Sequence, residues 1–74
     1  MQTNDEWVNL VKGTLRAEMT RRGITYEQLA EKLAELGVTD TPVNLRNKVA
    51  RGGFSAVFFI QCLRAIGVSE LRIQ

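Results

Sequence analysis

From Pro42 to Arg51 the chain reads Pro-Val-Asn-Leu-Arg-Asn-Lys-Val-Ala-Arg, with two amides, three cations and no acid. At about 100° per residue, Leu45 and Val49 fall close together with Pro42 beside them, so a helix here has one narrow apolar edge. The opposite side carries Val43, Asn44, Asn47 and Arg51, while Arg46 and Lys48 project to the two flanks. The chemistry open to such a face is recognition rather than bond making. Asn pairs bidentately with adenine N6 and N7, Arg with guanine O6 and N7, and an exposed Val meets a thymine methyl in a major groove. Cations on the flanks reach phosphates on either side, which positions a protein without reading sequence. Three cations on a short helix are often only a solvated face. Asn44 and Asn47 argue otherwise: both are poor helix formers, and on an exposed face they have no stability rationale.

Other chemistries lack their residues. The chain has no histidine and a single cysteine, Cys62, so neither a metal site nor an intramolecular disulfide is expected. No nucleophile stands with a base, and no phosphate-binding glycine loop is present, so no enzyme and no cofactor are expected. Cys62 lies in an apolar stretch, where cysteine behaves as a small inert hydrophobe. Glu27, Glu31 and Glu35 are spaced along one open helical face, where solvent is their expected partner.

The elements that must position the recognition face are marked by their ends. Thr3-Asn-Asp-Glu6 is a capping box, followed by Trp7, Val11, Leu15 and Met19 at core spacing. This predicts a helix over about 5–22, closed by Gly23, with Gly13 inside it marking close approach or a local weakness. Thr25-Tyr-Glu-Gln28 is a second capping box, with Ile24 and Leu29 placed as a hydrophobic staple. A second helix over 26–36 follows, with Leu29, Ala30, Leu33 and Leu36 on its apolar face and Gly37 after it. Thr41-Pro42 starts the third helix, 42–51, and Gly52-Gly53 stop it. A fourth, 56–66, begins at Ser55 with Phe54 and Phe59 in staple positions. Val57–Ile60 has strand propensity, but one strand would have no partner, and Ser55, the alanines and Gly67 supply a helix start, body and stop. A short turn is expected over 69–73.

Seventy-four residues hold one core, and 45% apolar with 24% charged residues is the composition of a globular chain. Residues 1–74 are read as a single domain. A domain of this size is marginal without staples, so helix caps or a partner subunit must contribute. The fourth helix is apolar nearly all round. It either lies centrally or offers Phe58, Phe59, Cys62 and Ile66 as a homodimer interface. The net charge of +2 divides unevenly: residues 1–40 carry five Lys/Arg against seven Asp/Glu, and residues 41–74 five against one. No apolar run approaches the length that spans a bilayer, and the N-terminal residues lack a leader pattern, so a cytoplasmic location without membrane contact is expected.

Leu15-Arg-Ala-Glu-Met-Thr-Arg-Arg-Gly-Ile-Thr-Tyr-Glu-Gln-Leu-Ala30 resembles the opening of Cro/C1-type, lambda-repressor-like helix-turn-helix domains, where a basic helix end and glycine precede Thr/Ser-x-x-x-Leu-Ala. The likeness extends more loosely through Asn44–Gly52 and the apolar helix before Gly67-Val68. The whole string, including Arg51–Gly67, also looks like a family of short bacterial proteins catalogued only as a domain of unknown function. The first resemblance implies an all-α, four- to five-helix helix-turn-helix domain. It implies base contacts from Val43, Asn44 and Asn47, and DNA-backbone contacts from Thr25, Tyr26 and Gln28. In one departure, Gly37 follows the Leu29-Ala30 pair nearly one turn later than is usual there, which lengthens the second helix.

Taken together, these features lead us to expect a bacterial, sequence-specific DNA-binding protein and transcriptional regulator. Val43, Asn44, Asn47 and Arg51 would meet bases. Arg21, Arg22, Thr25, Tyr26, Gln28, Thr41, Arg46 and Lys48 would meet phosphates, the first two beside the free N–H groups that open the second helix. The expected partner is double-stranded DNA, at the nucleoid when bound, with a homodimer reading half-sites about one DNA turn apart. The alternative is a helical adaptor that binds another protein through the apolar fourth helix and the basic third.

Overall fold

Hydroxyl side chains start each helix of the computed structural model, which describes residues 3–73. Helices α1 (Asn4–Arg22), α2 (Tyr26–Glu35), α3 (Pro42–Arg51) and α4 (Ala56–Ala65) account for all regular structure among the described residues, and there is no strand. Thr3, Thr25, Thr41 and Ser55 are extended N-caps whose oxygens each accept from the backbone N–H three residues on. Both capping boxes form, with Glu6 and Gln28 reaching back to the cap N–H. Each cap satisfies donors that would otherwise be orphaned and contributes about 1 kcal/mol. Val57–Ile60 is helical, as its flanking start and stop signals require.

The C-termini divide into two kinds according to the residue after the glycine. Where Ile24, Val38 and Val68 follow Gly23, Gly37 and Gly67, their N–H groups bond back to Met19, Leu33 and Leu63 at 2.9 Å. This is the Schellman arrangement, and the apolar residue it turns inward joins the core. Gly52 is followed by another glycine, and α3 ends in the simpler left-handed cap, a single bond from Gly52 N–H to Lys48 O at 3.1 Å. α2 stops at Glu35, one residue short of expectation, so Leu36 falls on its cap and is exposed. The turn expected over 69–73 does not form: after Val68 the chain is irregular, with a bend at Glu70.

α2 lies against α3 and α4, and α1 closes the other side of the same two helices. The core is Leu15, Met19, Leu29, Leu33, Leu45, Val49, Phe58, Cys62, Leu63 and Ile66. Of the two arrangements expected for α4, the structure shows central burial: Phe58, Cys62 and Ile66 are buried within one chain and Phe59 is half-buried. Cys62 is fully enclosed, and burial pushes its thiol up to about 12, which leaves it un-ionised. The apolar circumference of α4 is not wholly covered: Val57 and Ile60 remain 66% and 60% exposed.

α1 departs furthest from expectation. Leu15 and Met19 are buried, but Val11 is exposed and Trp7 is 52% exposed. Steps of four overshoot a 3.6-residue turn by about 40° each, so the stripe Trp7–Val11–Leu15–Met19 winds round the helix by about 120°. The inward edge instead continues from Leu15 through the half-buried Lys12 and Val8. A Cβ on Gly52 would lie 2.5 Å from Val8 Cγ1 and 3.2 Å from Lys12 Cδ, and Lys12 Nζ donates to Ala50 O at 3.0 Å. α1 therefore lies directly on the end of α3. Gly13 has open space about its Cα, so it is a local weakness and not a point of close approach.

Candidate nucleic-acid interface

The rotation of α3 is set by two side chains. Leu45 and Val49 are completely buried, which turns Asn47 to the opposite side with Val43, Asn44 and Arg51 around it. All four are exposed, and no acidic residue lies within α3. Arg51 Nε donates to Asn47 O at 3.4 Å, which holds the stem of Arg51 along the helix. The start of α3 is fixed as well: Thr41 caps Asn44 N–H at 3.1 Å, and Asp40 Oδ1 accepts from Thr41 N–H at 2.9 Å. Four side chains expected to meet bases are thus brought together on one rigid, outward surface.

The flanks are not equivalent. On the α2 side, the Arg46 guanidinium lies 5.3 Å from the centroid of the Tyr26 ring, a cation–π contact that links α3 to the first turn of α2. On the α4 side, Lys48 Nζ donates to Asp40 Oδ2 at 2.7 Å and sits 5.1 Å from the Phe58 ring centroid. The Lys48 hydrogen bond holds the Asp40 carboxyl below its ordinary range, against a smaller opposing effect of burial. Lys48, expected as a free phosphate cation, therefore enters the structure already paired. Beside it, Lys48, Arg51, Gly53 and Phe54 line a shallow notch of about 260 Å³.

A similar correction applies to Arg21 and Arg22. Both donate to Glu18, Arg21 at 2.7 Å, so the two cations share one buried carboxylate at the end of α1. The Arg21 hydrogen bond keeps Glu18 below its ordinary pKa, with burial opposing it and Arg22 adding to the effect. Arg21 is the more exposed of the two and keeps donors to spare. At the start of α2, Thr25 and Gln28 are engaged with each other: Gln28 N–H meets Thr25 Oγ1 at 3.1 Å, and Thr25 N–H meets Gln28 Oε1 at 2.9 Å. Their remaining capacity is the Gln28 amide NH₂, alongside the free backbone donors of the first turn.

The two acids that claim these cations were not assigned roles from the sequence. Glu18 stands three and four residues before its partners, a legible spacing. Asp40 lies outside the helix that carries Lys48, eight residues away, and no periodicity marks the pair. Among the described residues, no group of His, Cys, Asp and Glu is placed to hold a metal ion, and no helix is long and apolar enough to cross a membrane.

Fold and surface together define a small all-helical protein built from four capped helices, with one basic, amide-bearing helix facing outward. The chain belongs to the family described as Domain of unknown function (DUF6471), which it matches over residues 7–71. No curated protein and no solved structure matches it.

Proposed function

We propose that the protein is a sequence-specific, non-catalytic DNA-binding protein, a transcriptional regulator, in which α2 and α3 act as a helix-turn-helix and α3 enters the major groove. The observation that carries this reading is the exposed surface of Val43, Asn44, Asn47 and Arg51 on a helix that contains no acid, turned outward by the buried Leu45 and Val49. Asn47 at its centre suits adenine, Arg51 guanine, and Val43 a thymine methyl. Arg46 and the first turn of α2 are the backbone contacts best supported, because Arg46 lies over Tyr26 and makes no ion pair among the described residues. Lys48, Arg21 and Arg22 are weaker phosphate contacts than Arg46, since each would have to share its charge with Asp40 or Glu18.

Fluorescence anisotropy with genomic fragments at two salt concentrations tests the proposal. The expected result is binding at low salt that weakens steeply as salt rises, with log K falling by about 0.9 per phosphate contact for each tenfold rise in salt. Asn44→Ala with Asn47→Ala should erase the preference for selected over random fragments; unchanged preference refutes base reading by α3. An adaptor reading draws on the exposed Val57 and Ile60 of α4. A protein partner kept after nuclease treatment and lost on Arg51→Glu would favour it over DNA.

A further inference from the structure

Among the described residues, one face of α1 is covered by no other helix. Trp7, Leu10, Thr14, Ala17 and Arg21 follow one another at alternating steps of three and four, the spacing that keeps a seam on one side of a helix. Trp7 and Val11 beside it are exposed, Leu10 is half-buried, and Ala17 is open to solvent. The hydroxyl of Thr14 donates to Leu10 O at 2.7 Å, so its polar atom is satisfied inside the helix. Along this face runs a groove of about 520 Å³, with Leu10, Gly13 and Ala17 in its lining and Arg72 of the C-terminal segment at its side. The lack of any neighbour at the Gly13 Cα leaves room for another helix to approach closely.

We infer that this face is an interface between two copies of the chain, in which two α1 helices pack antiparallel about Thr14. Charge selects the occupant. α1 carries Asp5 and Glu6 in its first turn and Arg21 and Arg22 in its last; both cations meet Glu18, and Arg21, the more exposed, keeps donors to spare for a second copy. Antiparallel pairing brings the acidic end of each copy beside the basic end of the other and opposes the two helix dipoles favourably. It also sets Trp7 of each copy beside Arg21 of the other, a cation–π pairing, and Leu10 over the small side chain of Ala17. A 19-residue helix is about 28 Å long, enough to carry the seam through roughly two turns on each side of the axis. Such a contact is isologous, as a twofold dimer requires. It is distinct from α3, and its test reads mass, so the outcome does not depend on DNA binding.

Sedimentation of the full chain up to about 0.5 mM, a range that captures weak dimers, is the experiment. The expected result is a species of twice 8.3 kDa, with Trp7 emission shifting to shorter wavelength as concentration rises. Ala17→Arg and, separately, Leu10→Glu should each return the mass to 8.3 kDa with helicity by circular dichroism unchanged. Ile60→Arg, on the exposed part of α4, should leave the dimer intact. A monomer throughout the range overturns the inference. So does a dimer that survives both α1 substitutions, or one that Ile60→Arg dissolves while they do not.

Discussion

Helices α3 and α4 have the same length and begin with the same kind of cap, yet they spend their side chains in opposite ways. α3 buries Leu45 and Val49 and turns nearly everything else outward. α4 buries Phe58, Cys62 and Leu63, adds Ile66 at its cap, and stacks Phe54 near Phe58 and Phe59, with ring centroids at 5.3 and 5.9 Å. Both lie between α1 and α2, so the difference comes from side chains and not from position in the chain. A helix anchored by two residues has most of its surface to offer a partner. Its orientation must then be secured at its ends and flanks: by Thr41, by Gly52 beneath Val8, by Arg46 on Tyr26 and by Lys48 on Asp40.

The sharpest way to break this contrast is to cut the anchor and the surface of α3 separately. Leu45→Ala should destabilise the fold by about 2–5 kcal/mol, since it opens a cavity in a completely buried site. Val43→Ala, at a position 62% exposed, should change stability by less than about 0.5 kcal/mol while weakening DNA binding. Urea unfolding paired with anisotropy measures both. If the two substitutions prove equally costly to the fold, α3 is held by more than its narrow edge.

The ends of α3 come next. Gly52 is left-handed, with φ +73°, and a Cβ there would lie 3.3 Å from Val8 O as well as against the Val8 side chain. Gly52→Ala should therefore cost about 2–4 kcal/mol, combining a strained backbone with displacement of α1. Gly23 has a similar φ of +65° but open space, and Gly23→Ala should cost only the backbone part, about 1 kcal/mol. Thermal melts of the two variants separate close approach from conformation alone.

A smaller effect distinguishes the flanks. Asp40 and Glu18 both have carboxyl groups held below their ordinary values by neighbouring cations. Their stabilisation is fully present above the ordinary carboxylate range and is lost as pH falls through the lowered folded values. The melting temperature should accordingly drop on acidification below about pH 4, and less steeply in Asp40→Asn with Glu18→Gln. At neutral pH Asp40→Asn alone should cost no more than about 1 kcal/mol, because Lys48 is partly solvated. It should also release Lys48 and strengthen low-salt DNA binding; unchanged binding would mean Lys48 faces away from the phosphates.

How far the sequence reveals these features follows the range of the interaction involved. The four N-caps, both capping boxes and the glycine ends are set by residues within a few positions of one another, and each forms where the sequence indicates it. The outward face of α3 is equally legible, because Leu45 and Val49 mark the edge that turns inward. The register of α1 is not: a four-residue spacing reads as a stripe but winds off the core, and only the approach of Gly52 selects Val8 and Lys12. The pairing of Lys48 with Asp40 is equally hidden, since it spans a loop and a helix start. The apolar richness of α4 was legible, but which of its sides face inward depended on where α1 and α2 lie.

The mildest substitution bears on α1, whose two halves differ as α3 and α4 do. The second half carries Leu15, Glu18 and Met19 into the interior, whereas the first leaves Trp7 and Val11 outside. Gly13 sits where the two halves meet, and nothing lies within 4 Å of a Cβ placed on it. Its cost is then only the backbone freedom lost on folding, and Gly13→Ala should raise stability by about 0.5–1 kcal/mol. Hydrogen exchange locates the gain. If the first half of α1 is held chiefly by helix propensity, amides between Trp7 and Lys12 should gain more protection than those of Leu15–Met19. Equal gains in both halves would mean that α1 opens as one unit, with Lys12 on Ala50 O and Val8 on Gly52 joining its first half to the core as firmly as Leu15 joins the second.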